Sequence, residues 1–225
     1  MHTKTLSTVI FAFALLTLTS QAALHLTGIF DGPLSGGTPK GIELYASDNI
    51  ADLSAYAVGT ANNGGGTDGA EFTLSGSATA GDYIYVVANG NEDEFTSFLG
   101  GSATFASSAL GINGDDAIEL FNITGGSPSV IDTFGVIDVD GNGENWEYMD
   151  GWAYRNTVTA GGAFTASDWT FSGANAWDGA GSNASSDSVM PIGTFTTTPV
   201  PEPSTYALLV GLVGLSYTLN RRRRA

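Results

Sequence analysis

The side chains best suited to chemistry lie in a short acidic segment, residues 138–144, which reads D-V-D-G-N-G-E. Alternating carboxylate and amide oxygens followed by glycine are typical of the first half of a calcium-binding loop, because a tight loop turns alternate residues toward one ion. The match is partial, since the twelfth position, which takes a bidentate glutamate, is Met149. The alternative is an acidic turn without metal. The predicted calcium ligands are Asp138, Asp140, Asn142 and Glu144.

Aromatic residues follow this segment closely. A sugar-stacking platform would use Trp146, Tyr148, Trp152 and Tyr154, and the alternative is that these rings fill the core. The dipeptide Asp150-Gly151 between them is a strong signal for a two-residue β-hairpin turn. That hairpin would place Trp146 opposite Arg155 as a cation–π pair.

Residue types that serve the common catalytic mechanisms are scarce. The chain has no cysteine, and His25 is the only histidine beyond residue 22, so serine–histidine and cysteine–histidine catalysis lack partners. Zinc is disfavoured for the same reason. A glycan hydrolase needs only two carboxylates, but acids are too abundant here to single out a pair. We predict a protein without catalysis of its own, with a carboxylate-based glycan hydrolase as an alternative.

The 225 residues include 7 Lys and Arg against 23 Asp and Glu, which gives a net charge of −16. Of these cations only Lys40 and Arg155 lie away from the two ends of the chain. A domain cut free of both ends, residues 23–203, would carry 2 − 23 = −21. Binding to nucleic acid is therefore disfavoured, because almost no cation is present to neutralise phosphates.

Residues 1–22 have the pattern of a secretory signal peptide. Lys4 supplies a positive start, residues 9–16 are apolar, and Ser20-Gln21-Ala22 provides a small-residue cleavage site. The apolar run is short for a membrane-spanning helix, which needs about 20 residues. The sequence predicts cleavage after Ala22 by signal peptidase and export across the inner membrane.

The C-terminal end combines a short motif, an apolar stretch and a basic cluster. The motif is Val200, Pro201, Glu202, Pro203 and Ser204, and the cluster is Arg221, Arg222, Arg223 and Arg224. Residues 206–220 between them predict a short transmembrane helix. The positive-inside rule places the arginines, a cytoplasmic retention cluster, on the cytoplasmic side. This arrangement resembles the PEP-CTERM sorting signal of Gram-negative bacteria over residues 201–225. The resemblance implies processing by an exosortase, transient anchoring in the membrane, and an association with exopolysaccharide.

The region between the two ends predicts a single all-β domain. Short apolar runs alternate with Gly, Asn, Asp and Ser clusters, and several show the two-residue period of strands. Seven strands are predicted, around residues 24–30, 41–45, 55–60, 71–74, 82–88, 117–121 and 130–135. This number of short strands with frequent turns is typical of an immunoglobulin-like antiparallel β-sandwich. We place the domain at residues 23–192 and a linker at 193–200.

Five segments in order are similar to the strand motifs of lamin-tail domains. They are Ile42-Glu43-Leu44-Tyr45, Asp52 to Tyr56, Gly81 to Ala88, Asn113 to Leu120, and Asp132 to Gly135. The chain departs from that pattern at Ala46-Ser47, where the family often has Asn-Pro, and the region after Gly135 is not covered. The resemblance implies an immunoglobulin-like fold in an extracellular, accessory protein.

Together these patterns predict an exported cell-envelope or matrix domain with a structural or adhesive role. Its partners would be signal peptidase and exosortase during export, the membrane through the C-terminal helix before processing, and extracellular polysaccharide afterwards. The final location would be the cell surface or matrix. A carbohydrate-binding module is the first alternative, and calcium is the one cofactor that the residues suggest.

Overall fold

The computed structural model of the protein describes residues 23–157 and 162–197. The predicted signal peptide and the predicted sorting signal lie outside these residues. In the part of the chain that the structure describes, no helix combines the length and apolar composition needed to cross a membrane.

The described residues form ten strands and one short α-helix. In chain order they are β1 Leu24–Leu34, β2 Thr38–Ala46, β3 Tyr56–Ala61, β4 Phe72–Thr73, β5 Tyr83–Ala88, α1 Glu92–Leu99, β6 Phe105–Ser107, β7 Ala117–Asn122, β8 Ser129–Phe134, β9 Gly151–Arg155 and β10 Trp169–Phe171.

The strands build two sheets. The six-stranded sheet has the order β10-β9-β1-β2-β5-β6, and the four-stranded sheet has the order β4-β3-β7-β8. Neighbouring strands are antiparallel except β5 and β6, which are parallel. The expected all-β, two-sheet architecture is therefore observed.

The main hydrophobic core contains residues from both sheets. Alternation along β2 places Ile42 and Leu44 in this core, and alternation along β7 places Ile118 and Leu120 there. Phe134 packs edge-on against Trp169, with ring centroids 4.9 Å apart, and also contacts Trp146 and Tyr148.

A second core covers the outer face of the six-stranded sheet. Tyr45, Val87 and Tyr154 project from this face and meet side chains from α1 and from the last described segment of the chain. The covering side chains are Phe95, Phe98, Leu99, Trp177, Met190 and Phe195. The six-stranded sheet is thus buried on both faces, as the apolar sequence of β5 predicts.

Each of the seven predicted strands has a counterpart in the structure, whereas β6, β10 and α1 were not predicted and β9 was predicted only as one arm of a hairpin. The first turn of α1 contains Glu92, Asp93 and Glu94. Two of these acids are exposed, and the helix turns Phe95, Phe98 and Leu99 toward the sheet. The eight-residue helix is too short to leave a sustained helical period in the sequence.

The predicted boundary at residue 192 needs a correction. Residues 188–196, which we call the C-terminal strap, lie on the outer face of the six-stranded sheet. Gly193, Thr194 and Phe195 donate backbone hydrogen bonds to side chains of that sheet, and Phe195 is buried. The folded domain therefore continues to at least Phe195, because the strap covers side chains that would otherwise leave the sheet face open.

Candidate functional site

The predicted calcium loop lies on the surface after β8. Asp138, Asp140, Asn142 and Glu144 are all exposed. The loop holds its shape through its own hydrogen bonds, since the Asn142 backbone donates to Asp140 Oδ1 at 3.0 Å and the Gly143 backbone donates to Glu147 Oε2 at 2.9 Å. This is how an acidic turn is stabilised without a metal.

Other acids approach this loop from neighbouring turns. The Gly141 backbone donates to the Asp115 carbonyl at 3.0 Å. Asp116 is buried, and its two carboxylate oxygens accept from the backbones of Asn63 and Asn113 at 2.9 and 3.1 Å. Burial raises the pKa of Asp115, and the nearby charges of Asp116 and Asp140 add to this effect. This end of the molecule is therefore strongly anionic.

This acidic region does not form a ready-made metal centre. Within residues 23–157 and 162–197, no group of three or more His, Cys, Asp or Glu side chains is arranged to hold a metal ion. The four predicted ligands share one exposed loop, and calcium binding there remains a prediction.

The proposed aromatic platform is corrected by the structure. Trp146 and Tyr148 lie in the core between the sheets, whereas Trp152 and Tyr154 lie in the core on the outer face. Their exposed fractions are 2%, 0%, 6% and 4%. Because the rings belong to two separate cores and present almost no surface, these four residues are packing residues and not a sugar-stacking face.

The predicted hairpin at Asp150-Gly151 is wrong. β9 begins at Gly151 but pairs with β1 and β10, and residues 144–150 form turns instead of a strand. The turn segment is fixed by Tyr148, whose backbone donates to the Gly114 carbonyl at 2.7 Å. A local turn signal was overridden by strand partners that are distant in sequence.

Arg155 consequently has different partners from those predicted. Its guanidinium lies over Trp169, 4.9 Å from the ring centroid, and not over Trp146. It forms a buried ion pair with Asp132 and donates to the Leu26 carbonyl at 3.0 Å. Since Arg155 is on β9 and Asp132 is on β8, the pair joins the two sheets. Burial raises the pKa of Asp132, an effect that Arg155 opposes.

Glu43 is a functional candidate that the sequence analysis missed. Its position in the alternating pattern of β2 suggested a solvent-facing side chain, but the C-terminal strap covers it completely, so that its exposed fraction is 0%. Its carboxylate accepts from Thr27 Oγ1 at 2.8 Å and from the Gly193 backbone at 2.6 Å. Burial raises the pKa of Glu43.

A bulge in β1 brings Thr27 to this carboxylate. Leu26 pairs with Leu44 while Gly28 pairs with Glu43, so Thr27 is an extra residue in the strand. Glu43 lies in register between Gly28 and Tyr85. A period-two pattern alone gives no sign of the strap, and for this reason the sequence could not identify the site.

The sorting motif at residues 200–204 and the arginine cluster at residues 221–224 lie outside the described residues. No protein-family model, no curated protein and no solved structure matches this chain.

Proposed function

We propose that this chain is an exported domain of a Gram-negative cell envelope or extracellular matrix, with a structural or adhesive role and no catalysis of its own. The observation that supports an interaction role is the charge of the domain surface. Within residues 23–197 the cations are Lys40 and Arg155. Both are ion-paired with buried acids, Lys40 with Asp31 at 2.8 Å and Arg155 with Asp132.

The charges that remain on the surface are therefore acidic. The exposed acids are Asp48, Asp52, Asp68, Glu71, Asp82, Glu92, Asp93, Asp138, Asp140, Glu144, Asp178 and Asp187. Such a surface raises the local concentration of divalent cations. Divalent cations could bridge it to acidic extracellular polysaccharide, which would give adhesion that depends on calcium or magnesium.

The similarity to lamin-tail domains supports an immunoglobulin-like fold and an accessory role. The five similar segments fall in order on strands of the two sheets or in the turns that lead into them: β2, β3, β5, β7 and β8. Sandwich folds of this type carry many unrelated functions, so the fold is consistent with a display role without specifying the partner.

The sequence of both ends supports export and sorting. Residues 1–22 would be removed on export, and the tail would hold the domain at the membrane until an exosortase cuts near Pro201-Glu202-Pro203. Intact-mass measurement of the protein from its native envelope tests this directly. We expect a product that lacks both ends, and retention of residues 204–225 would contradict the proposal.

A matched pair of variants sharpens the sorting test. Glu202→Ala changes the motif, whereas Glu144→Ala removes an exposed acid of the domain. We expect the first variant to accumulate with its tail attached and the second to be processed normally. Equal processing of both variants would show that the exosortase does not recognise the motif.

The adhesive role is tested by cosedimentation of the exported protein with the producing cell's own polysaccharide. We expect binding with millimolar calcium and release by a chelator. Saturable binding in chelator would instead support the carbohydrate-binding alternative, and release of shortened glycan would support the hydrolase alternative.

A further inference from the structure

The C-terminal strap is held by hydrogen bonds to side chains of the six-stranded sheet and of the segment that precedes the strap. The indole nitrogens of Trp152 and Trp177 both donate to the Ser188 carbonyl, at 2.9 and 2.8 Å. Asn183 exchanges two hydrogen bonds with the backbone of Met190, at 3.0 and 2.8 Å. The first half of the strap is thus bound by three side chains.

The second half of the strap is bound by one carboxylate and two phenols of the sheet. Gly193 donates to Glu43, and the backbones of Thr194 and Phe195 both donate to Tyr154 Oη, at 3.0 and 2.9 Å. The Tyr83 hydroxyl donates to the Phe195 carbonyl. Gly193 has φ +71°, and a Cβ there would lie 3.2 Å from Tyr85 Oη.

These attachments differ from those of a strand. The strap is not part of either sheet, so its backbone has no ladder of hydrogen bonds to a neighbouring strand. Its buried apolar anchors are two side chains, Met190 and Phe195, and Ile192 packs partly buried against the same core. Segments with few buried apolar contacts and no ladder belong to the low-stability end of a fold and open before it unfolds.

Glu43 favours opening of the strap because it is a carboxylate enclosed by neutral groups. The titratable groups that face it are phenols: Tyr85 from β5 and Tyr154 from β9, with Tyr83 and Tyr45 nearby. Both cations of residues 23–197 are occupied elsewhere, by Asp31 and Asp132. Opening would return this carboxylate to water, which reduces the cost of its charged form.

We propose that the C-terminal strap is a latch that opens as a unit while the two sheets stay folded, with Glu43 as the group that controls its opening. The closed latch favours the neutral form of Glu43, because burial raises its pKa. Opening therefore becomes easier as pH rises from 4.5, the ordinary pKa of a glutamate, to the higher pKa that Glu43 has in the closed state, and it levels off above that.

An open latch would release residues 188–196, which precede the sorting motif in the sequence. Access of a processing enzyme to that motif would then increase with pH. This consequence rests on the proposed sorting function, whereas the latch itself does not.

Hydrogen–deuterium exchange of the full chain in detergent tests the latch without any processing enzyme. We expect peptides from residues 188–196 to exchange faster than those from β1 and β2, with little dependence on denaturant. After correction for intrinsic exchange, opening should increase as pH rises above 4.5, the ordinary pKa of a glutamate, until Glu43 is ionised in the closed state as well. Strap peptides that exchange only together with β1 and β2 would overturn the proposal.

Two buried tyrosine hydroxyls provide a matched pair of variants. Tyr154→Phe removes the acceptor of two strap amides, and we expect exchange of the strap to rise roughly tenfold or more. Tyr148→Phe removes a hydroxyl that donates to the Asp116 carbonyl at 3.0 Å in the other core, and it should not open the strap selectively. Equal effects of both variants on the strap would contradict the latch.

Glu43→Gln tests the controlling group. The amide oxygen can still accept from Gly193, and the amide nitrogen can donate to Thr27 Oγ1, so the variant resembles the neutral acid. We expect the strap to stay closed at pH 8 and its pH dependence to disappear. Persistence of the pH dependence in a folded Glu43→Gln protein would exclude Glu43 as the controlling group.

Discussion

Arg155 shows how this protein uses a cation in its interior. Its side chain has no exposed surface, and the same is nearly true of Asp132 at 2%. Asp132 Oδ2 also accepts from the Leu26 backbone at 2.9 Å, so one carboxylate joins β8 to β1 and β9. Nε and Nη2 of Arg155 have no hydrogen-bond partner among the described residues. The pair therefore connects the two sheets, but its ion pair and hydrogen bonds offset only part of the free-energy cost of removing the two charges from water.

Removing one partner of this pair should cost far more than removing both. Arg155→Met leaves a buried carboxylate without its cation, and we expect a loss of about 3–5 kcal/mol in the free energy of unfolding. The double variant Arg155→Met with Asp132→Leu should recover most of that loss. Urea denaturation measures both values, and a double variant as unstable as the single one would contradict the argument.

Trp152 provides a test of the corrected aromatic assignment. Its ring lies in the outer-face core, and its indole nitrogen donates to the Ser188 carbonyl. Trp152→Ala should lower the free energy of unfolding by about 3–5 kcal/mol. Trp152→Phe, which keeps a ring but loses the donor, should cost less. Denaturation curves for the two variants measure these losses. An unchanged free energy of unfolding for Trp152→Ala would contradict the assignment of this ring to the core.

At the scale of the elements, the sequence predicted strands with a clear alternation and missed elements whose partners are remote. β2 and β7 follow the pattern of their apolar residues because each buries one face in the core between the sheets. β9 was assigned to a local hairpin from Asp150-Gly151, yet it lies between β1 and β10. Local turn chemistry identified where the chain bends but not which strand it would join.

The same reasoning explains what was missed at the candidate site. Glu43 is a polar residue between two apolar ones, a pattern that predicts a side chain facing solvent. Nothing in the sequence of β2 indicates that residues 188–196 will cover it. The second half of the strap, residues 193–196, was assigned to the predicted linker at residues 193–200. Its burial depends on hydrogen bonds to Tyr154 and Trp152 of the sheet and to Trp177, which precedes the strap in the chain.

Gly59 allows a loop to lie directly on the four-stranded sheet. It lies on β3 opposite Glu119 of β7, and a Cβ at this position would be 2.0 Å from the Gly69 carbonyl oxygen. Gly59→Ala should displace the loop and lower the free energy of unfolding by about 1–3 kcal/mol. Gly181→Ala has open space around it and should change stability by less than about 0.5 kcal/mol. Thermal denaturation of both variants provides the comparison.

At the scale of the whole molecule, the dominant electrostatic feature is a set of acids whose pKa is raised by burial. They are Asp31, Glu43, Asp115, Asp116, Asp132 and Asp150. A carboxyl with a raised pKa binds more protons in the folded state, so its contribution to stability is complete at low pH and is lost as pH rises. His25 acts in the opposite direction, because burial lowers its pKa to about 4.

The net result should be a protein that gains stability on mild acidification. Burial raises the pKa of Asp31 from 3.8 to about 6, so its contribution is lost as pH rises through that range. Six acids outweigh one histidine, and the repulsion within a chain of −16 also weakens as pH falls. We expect the urea midpoint to increase from pH 8 to about pH 5, and the protonation of His25 in the unfolded chain, which begins near pH 6.5, should oppose only part of this increase. Asp31→Asn should reduce this increase, whereas Asp48→Asn, at an exposed acid, should not. A midpoint that falls steadily from pH 8 to pH 5 would mean that the buried carboxyls are charged at little cost.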